Sequence, residues 1–311
     1  MRVTGNTFTD SLSTQLNSLV ARQYKLQNQA ATGLRIQNPE DDPVAMQNTL
    51  NLRAQNSALQ QYSSNVNALQ DRASAAYNSL NELKTKSDRA GEIATLADGI
   101  SSPTDFQTYA TEVNQLIQEA AQYANAKSGD QYLFAGTHSN QPPYVVVTDA
   151  NGQVTSVTYQ GNESTAATPI DSATNLSVDV PGANTSGTGA HGLITDSRSG
   201  ADFFNHLISL RDHLAAGNTA AVTSTDIPAL GKDEDNILYQ VASNGVTQSR
   251  LQTSAAAITQ QTTTLQQNLS TNTDADMAQT LLQLSQTQTA YQAALQSSSK
   301  ILNMSLMNYL Q

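Results

Sequence analysis

Between Val44 and Ala90 the chain runs without a proline or glycine. Leu52, Leu59, Tyr62, Val66, Leu69, Ala73, Ala76, Leu80 and Leu83 recur there in one unbroken register. Steps alternating between three and four keep a stripe on one side of a helix that winds along a partner. At ~1.5 Å per residue, a helix from Val44 to about Ala97 is roughly 80 Å long, more than a globular domain ordinarily uses. Ile237, Val241, Asn244, Gln248, Leu251, Ala255, Ile258, Thr262, Leu265 and Leu269 form a second seam in the same steps. Asn244, Gln248 and Thr262 interrupt its apolar run, and polar residues in a seam trade stability for register. The two long helices are expected to lie antiparallel.

Both ends of the chain repeat the pattern on a smaller scale. Leu12, Leu16, Leu19, Gln23, Leu26 and Ala30 form one seam, and Met277, Leu281, Leu284, Gln288, Tyr291, Leu295, Ser298 and Leu302 form the other. A heptad stripe is most often the internal core of a bundle. Here Gln and Ser interrupt both terminal seams, so two such helices packed only on each other would bury little apolar area. Isolated helices are marginal in water. Leu12, Leu16, Leu19 and Leu26, with Leu281, Leu284, Tyr291, Leu295 and Leu302, are therefore the expected assembly seams, ordered fully among copies or partners.

Local signals set the boundaries. Gly33 ends the first helix, Asp42 caps the second with Pro43 at its first position, and Ser102 with Pro103 opens a third. The third helix carries Phe106, Ala110, Val113, Ile117, Ala120 and Ala124 on one face. The turn at Asp98-Gly99-Ile100 makes it an antiparallel neighbour of the second. Thr273 with Asp276 resembles a capping box before the last helix. After Lys127 the pattern becomes β. Tyr132 to Gly136, Tyr144 to Thr148, Val154 to Tyr159 and Leu176 to Val180 read as strands, with a type I′ turn at Asn151-Gly152. Pro181 to Gly192 reads as a flexible loop. Helix resumes at Asp202 with Phe203, Leu207, Leu210 and Leu214 inward, and Gly217 to Leu230 reads as a connection.

The expected fold is mainly α with a β insert: an elongated antiparallel coiled-coil or helical-bundle rod formed by N- and C-terminal segments, with a small all-β domain at its tip. Terminal helices at 1–42 and 272–311 form an assembly core, 43–130 and 200–271 the rod, and 131–199 the insert.

Composition narrows the function. A net charge of −11 without a Lys/Arg cluster argues against nucleic acid. No run is long and apolar enough for membrane insertion, and Met1 to Asn6 has no apolar signal core, so export would use a route that reads no cleavable signal peptide. With no cysteine, disulfides and thiolate chemistry are excluded. Gly187-Thr188-Gly189-Ala190-His191-Gly192 has the spacing of a dinucleotide loop, but neither the strand before it nor the helix within it is expected. Asp202 and His206 lie one helical turn apart, with His213 two turns further on, yet no third metal ligand is apparent at local spacing, and His138, His191, His206 and His213 read as solvated polar residues. Asp233-Glu234-Asp235 reads as an acidic first helical turn. Nothing unites an acid, a base and a nucleophile, so no enzyme and no cofactor is expected.

The run Ala31-Thr32-Gly33-Leu34-Arg35-Ile36-Gln37-Asn38-Pro39-Glu40-Asp41-Asp42-Pro43-Val44-Ala45 resembles the signature of the bacterial flagellin family. Gly33, Arg35, Asp41, Asp42 and Pro43 carry it, and its Asp-Asp-Pro-Val-Ala ending is similar to the hook–filament junction branch. Tyr132 to Gly136 followed by Pro142-Pro143-Tyr144, and the stretch Asp274 to Gln311, are similar to that branch too. The resemblance implies a non-catalytic extracellular layer of the bacterial flagellum, joining hook to filament. It implies partners in other copies of the chain, the other hook–filament junction protein and flagellin. It further implies type III export aided by a chaperone on the C-terminal helix. A short filament flagellin that polymerises alone is the alternative. A surface binding module, using Tyr144 and Tyr159 of the β domain, is a third reading.

Overall fold

The computed structural model describes residues 4–97 and 102–309, with side chains described for 10–97 and 102–300. Helix α1 spans Thr4–Thr32, α2 Pro43–Leu96 and α3 Pro103–Ala124. Short strands follow: β1 Lys127–Ser128, β2 Gln131–Tyr132, β3 Tyr144–Thr148, β4 Val154–Tyr159, β5 Thr168–Pro169, β6 Asn175–Leu176, β7 Ala183–Asn184, β8 Thr195–Asp196 and β9 Ala201–Asp202. Then come α4 Phe203–Ala215, a turn of helix α5 at Thr219–Ala221, a π-helical turn at Val222–Asp226, α6 Ile227–Thr273 and α7 Met277–Tyr309. The chain is mainly helical with small sheets. It divides into two compact units, 1–58 with 261–311, and 59–260.

In the second unit every residue of the two long seams that falls there is buried or half-buried, from Leu59 to Leu83 on α2 and from Ile237 to Ile258 on α6. Leu251 and Ile258 pack with Val66, Leu69 and Ala73. Helix α3 runs antiparallel to α2, fastened by Lys86–Glu119 at 2.6 Å and Arg89–Glu112 at 2.7 Å. The linking turn expected at Asp98-Gly99-Ile100 lies outside the described residues. Phe203, Phe204, Leu207, Leu210 and Leu214 of α4 complete this core with Val113 and Ile117 of α3 and Leu80 and Leu83 of α2.

Amides in and beside the α6 seam act as tethers. Asn236 donates to the carbonyls of Gly192 and Leu193, and Gln240 donates to those of His191 and Gly192. Gln248 donates to Asn244 Oδ1 at 2.7 Å and to the Ala73 carbonyl. Each buried amide thus has a partner, and together they set the register of the β segment on the helix.

The β region departs from expectation in several places. Leu133, Phe134 and Ala135 are buried but not a strand. Leu133 N donates to Ala126 O, while Phe134 O and Ala135 O accept from Gly182 N and Asn162 N, so no single neighbouring strand serves them. The expected strand at 176–180 shrinks to Asn175–Leu176, because its partner contains Pro169, which cannot donate to a ladder. Strands β3 and β4 match their expected bounds, but the turn between them is not type I′. Type I′ needs a positive φ at both central residues; Gly152 has one, at +81°, but among the described residues no non-glycine, Asn151 included, does. Instead Gly152 N donates to Asp149 O, and Asp149 Oδ1 accepts from Asn151 N and Gln153 N. The extra residue is absorbed by a bulge next to Thr148.

Pro181 to Gly192 is no loose loop. It contains β7, which lies parallel to β8, and β8 pairs antiparallel with β9. Asn184 Nδ2 donates to the carbonyls of Thr188 and Ala190, and its Oδ1 accepts from Gly187 N. Buried Asp196 accepts from Gly192 N and from Arg198. The segment read as a connection, 217–230, is helical from Thr219 onward. Pro228 can neither donate a helical bond nor tolerate the carbonyl four residues earlier. The π turn before it widens the helix, with Ile227 N donating to Val222 O.

Candidate assembly site

The family-signature residues all lie in the first unit, where they join four helix ends. Gly33 has φ +72°, a left-handed conformation that ends α1, and its N donates to Gln29 O at 2.8 Å. Beyond it the chain pairs with the link between α6 and α7. Arg35 N donates to Thr273 O at 2.7 Å, Ala275 N donates to Gly33 O at 2.8 Å, and Leu34 faces Asp274 in an antiparallel bridge. The Arg35 side chain donates to Asn272 O at 2.8 Å and approaches Asp42 at 3.6 Å.

Asp41 closes the turn. One carboxylate oxygen accepts from Gln37 N and Asn38 N, both at 3.1 Å, and the other takes Lys25 Nζ at 2.6 Å. The Lys25 ammonium and these two backbone bonds hold the Asp41 carboxyl at about 2. Asp42 caps α2 through Ala45 N at 3.0 Å, and Pro43 follows where its missing N–H costs nothing. A carboxyl depressed in the folded chain stabilises it above its unfolded value near 3.8 and ceases to do so as pH falls towards 2. Asp41→Asn is expected to destabilise the first unit by about 1–2 kcal/mol at neutral pH. It should also flatten the stability change over that acid window, as followed by helix melting at several pH values.

Helices α1 and α7 leave this joint as antiparallel neighbours packed along each other. On α1 the packed face is the heptad stripe: Leu12, Leu16, Leu19 and Gln23 are half-buried and Leu26 is buried. On α7 the sheltered residues are Thr280, Leu284, Thr287, Tyr291, Ala294 and Ser298. The hydroxyls of Thr287 and Ser298 are satisfied within the helix, donating to Gln283 O and Ala294 O. Leu281 and Leu295 each stand one position beyond a sheltered residue and are 52% and 44% exposed; Met277 is 40% exposed and Leu282 59%. The Leu302 side chain lies outside the described residues.

The sequence pattern missed Lys25 and the 272–275 link. It also missed the Thr280/Thr287 repeat, a seven-residue spacing that hydropathy passes over because hydroxyls count as polar. The start of α7 differs too. Thr273 is the last residue of α6, bonded back to Leu269 O, and Asp276 is the cap, accepting from Gln279 N at 3.1 Å.

The residues singled out for other chemistry are used internally. His206 bonds buried Asp233 at 2.7 Å, and His213 bonds buried Asp226 at the same distance. These histidines are therefore clamps between α4 and the start of α6 rather than solvated side chains. The Asp233 hydrogen bond raises the His206 pKa, and burial raises that of Asp233. Asp233 lies nearly two turns inside α6, which starts earlier than expected. Among the described residues no three His, Cys, Asp or Glu converge on a metal position. Gly187-Thr188-Gly189-Ala190-His191-Gly192 opens no helix, and the N–H groups of Gly187 and Gly192 are already bonded to Asn184 and Asp196. Tyr144 is buried against Tyr159 and Phe204, and Tyr159 OH donates into the carbonyls of Phe134 and Asn162. The expected pair of ligand-facing tyrosines is thus part of the core.

Residues 3–139 match the family model of the bacterial flagellin N-terminal helical region. That matched stretch is a little under half of the chain. Flagellar hook-associated protein 3 of Salmonella typhimurium is 25% identical over 185 residues, 59% of this chain and 56% of that relative. The match therefore spans little more than half of the curated relative. A putative flagellar hook-associated protein from Vibrio parahaemolyticus superposes with TM-score 0.63 at 19% identity, covering 75% of this chain and 99% of the other. FlgL of Bacillus cereus superposes at 0.56 with 14% identity, covering 71% and 99%. FlgL of Xanthomonas campestris gives 0.56 at 18%, covering 70% and 99%. These structures share the fold of this chain. Its signature residues are the ones that knit the joint between α1, α2, α6 and α7.

Proposed function

We propose that this chain is a structural component of the bacterial flagellum, a junction protein that connects hook to filament and assembles through its terminal helices. The apolar stripe of Met277, Leu281 and Leu295 on α7 carries this reading. It flanks the face that meets α1, and its side chains are left 40–52% exposed. Large apolar side chains aligned on one side of a terminal helix are suited to a second copy. The assembly seams are then Leu12, Leu16, Leu19 and Leu26 with Leu281, Leu284, Tyr291, Leu295 and Leu302. Residues 1–42 and 272–311 form the assembly core, 43–130 and 200–271 the helical section, and 131–199 the β insert. Beyond other copies, the partners are the other hook–filament junction protein, flagellin, and an export chaperone on the C-terminal helix. The site of action is extracellular.

Relatives of this chain are flagellar structural proteins, and no catalytic step is assigned to it. Incubating the purified protein with isolated hooks and with filament fragments tests the assignment. Saturable attachment at hook ends, without extended growth, is the expected result. Long filaments growing from seeds would instead identify a filament flagellin, and failure to attach to hooks would remove the junction role.

A further inference from the structure

The chain contains two Asn-Gly steps, Asn151-Gly152 and Asn244-Gly245, in opposite surroundings. Asn151 and Gly152 are exposed at the tip of the β3–β4 hairpin. A Cβ on Gly152 would meet nothing within 4 Å, so the approach to its nitrogen is open. That nitrogen is held only by a 3.1 Å turn bond to Asp149 O. Asn244 is buried within α6, and its Oδ1 accepts from Gln248 Nε2 at 2.7 Å. Helical dihedrals, with ψ near about −42°, hold the following nitrogen away from the side-chain carbonyl.

We propose that Asn151 is a site of spontaneous deamidation that converts the hairpin turn to isoaspartate, while Asn244 is protected by the helix. The Gly152 nitrogen attacks Asn151 Cγ, forming an N–Cγ bond. The Cγ–Nδ2 bond breaks, and ammonia leaves carrying the proton from Gly152. Water then opens the resulting succinimide at either carbonyl, leaving aspartate or isoaspartate, with no oxidation or reduction. Isoaspartate lengthens the main chain by one carbon at a point where the hairpin is anchored. Gly152 O accepts from Asn114 and Gln118 of α3, both at 3.2 Å, and Val154 N donates to Asn114 Oδ1 at 2.9 Å. The new carboxylate also faces Asp149, which already accepts from Asn151 N and Gln153 N. The modified turn therefore loosens the hairpin from α3.

The test incubates the full-length protein in mildly alkaline buffer and maps its peptides, reading the amide-to-acid mass gain and isoaspartyl methylation. Asn151 should convert more than about tenfold faster than Asn244, whose ring closure first requires local helix opening. In denaturant the two should react alike. Equal rates in the folded protein, or an unreactive Asn151, would overturn the assignment. Modified protein should lose exchange protection at β3 and β4 amides, whereas an Asn151→Gln variant carried through the same incubation should keep it. Full protection after conversion would refute the loosening.

Discussion

Replacing Leu281 and Leu295 together with Asp is expected to leave the folded chain intact and to abolish attachment of one copy to another. Both side chains are about half exposed in the single chain, so their removal should change stability by no more than about 0.5 kcal/mol. Covering the half of each that is still exposed would contribute roughly 0.8–1.5 kcal/mol in an assembly. The pair would forfeit about 1.5–3 kcal/mol, before adding the cost of burying two carboxylates. Circular dichroism melts compared with hook-attachment assays separate these effects. Normal attachment by the double variant would remove the α7 stripe from the interface. A collapsed melt would show that Leu281 and Leu295 belong to the internal core.

Gly192→Ala is expected to be the most damaging single methyl in the β region. A Cβ there would lie 2.1 Å from Thr195 O, 2.4 Å from Asn184 N and 2.7 Å from Ala183 C. All three are backbone atoms of β7 and β8, so no side chain can rotate aside. Relief requires separating the parallel pair, and with it the bonds of Gly192 to Asp196 and of Asn236 and Gln240 to this segment. A loss of more than about 3 kcal/mol in the unfolding of the second unit is expected. Chemical denaturation followed by tyrosine fluorescence and circular dichroism would measure it. A near-wild-type midpoint would mean that the β7–β8 pairing tolerates a shift these distances rule out.

The helices were legible because their signals are local and repeated. The seam from Leu59 to Leu83 and that from Ile237 to Ile258 are sheltered in the register read from spacing alone; Gly33 and Asp42 mark helix ends by their capping chemistry, and Ser102 stands at the N-cap position before Pro103 without a side-chain cap bond. The β region was less legible because much of its order comes from single side chains reaching distant backbone. Asn184, Asp196, Asn236 and Gln240 do what strand neighbours do elsewhere, and residues of these types carry no strand propensity. The π turn before Pro228 escaped notice for a related reason. Proline ordinarily signals a break, and only the wider helix around it shows how continuity was kept.

By itself, then, the sequence determined that the chain is built of long helices with a β insert, where those helices end, and that its motif is flagellin-like. Heptad spacing, caps and breakers act over a few residues, and their physics is the same in any surroundings. Only the tertiary structure decided which side of α7 meets α1. Spacing offered Leu281, Leu284, Tyr291, Leu295 and Ser298 as one stripe, yet the close neighbour selects Thr280, Thr287 and Ala294 alongside Leu284, Tyr291 and Ser298. Small side chains let two helices approach, and hydroxyls bonded to their own helix bury without penalty. Hydrophobicity alone could not rank that face above the leucines beside it, and Leu281 and Leu295 stay about half exposed.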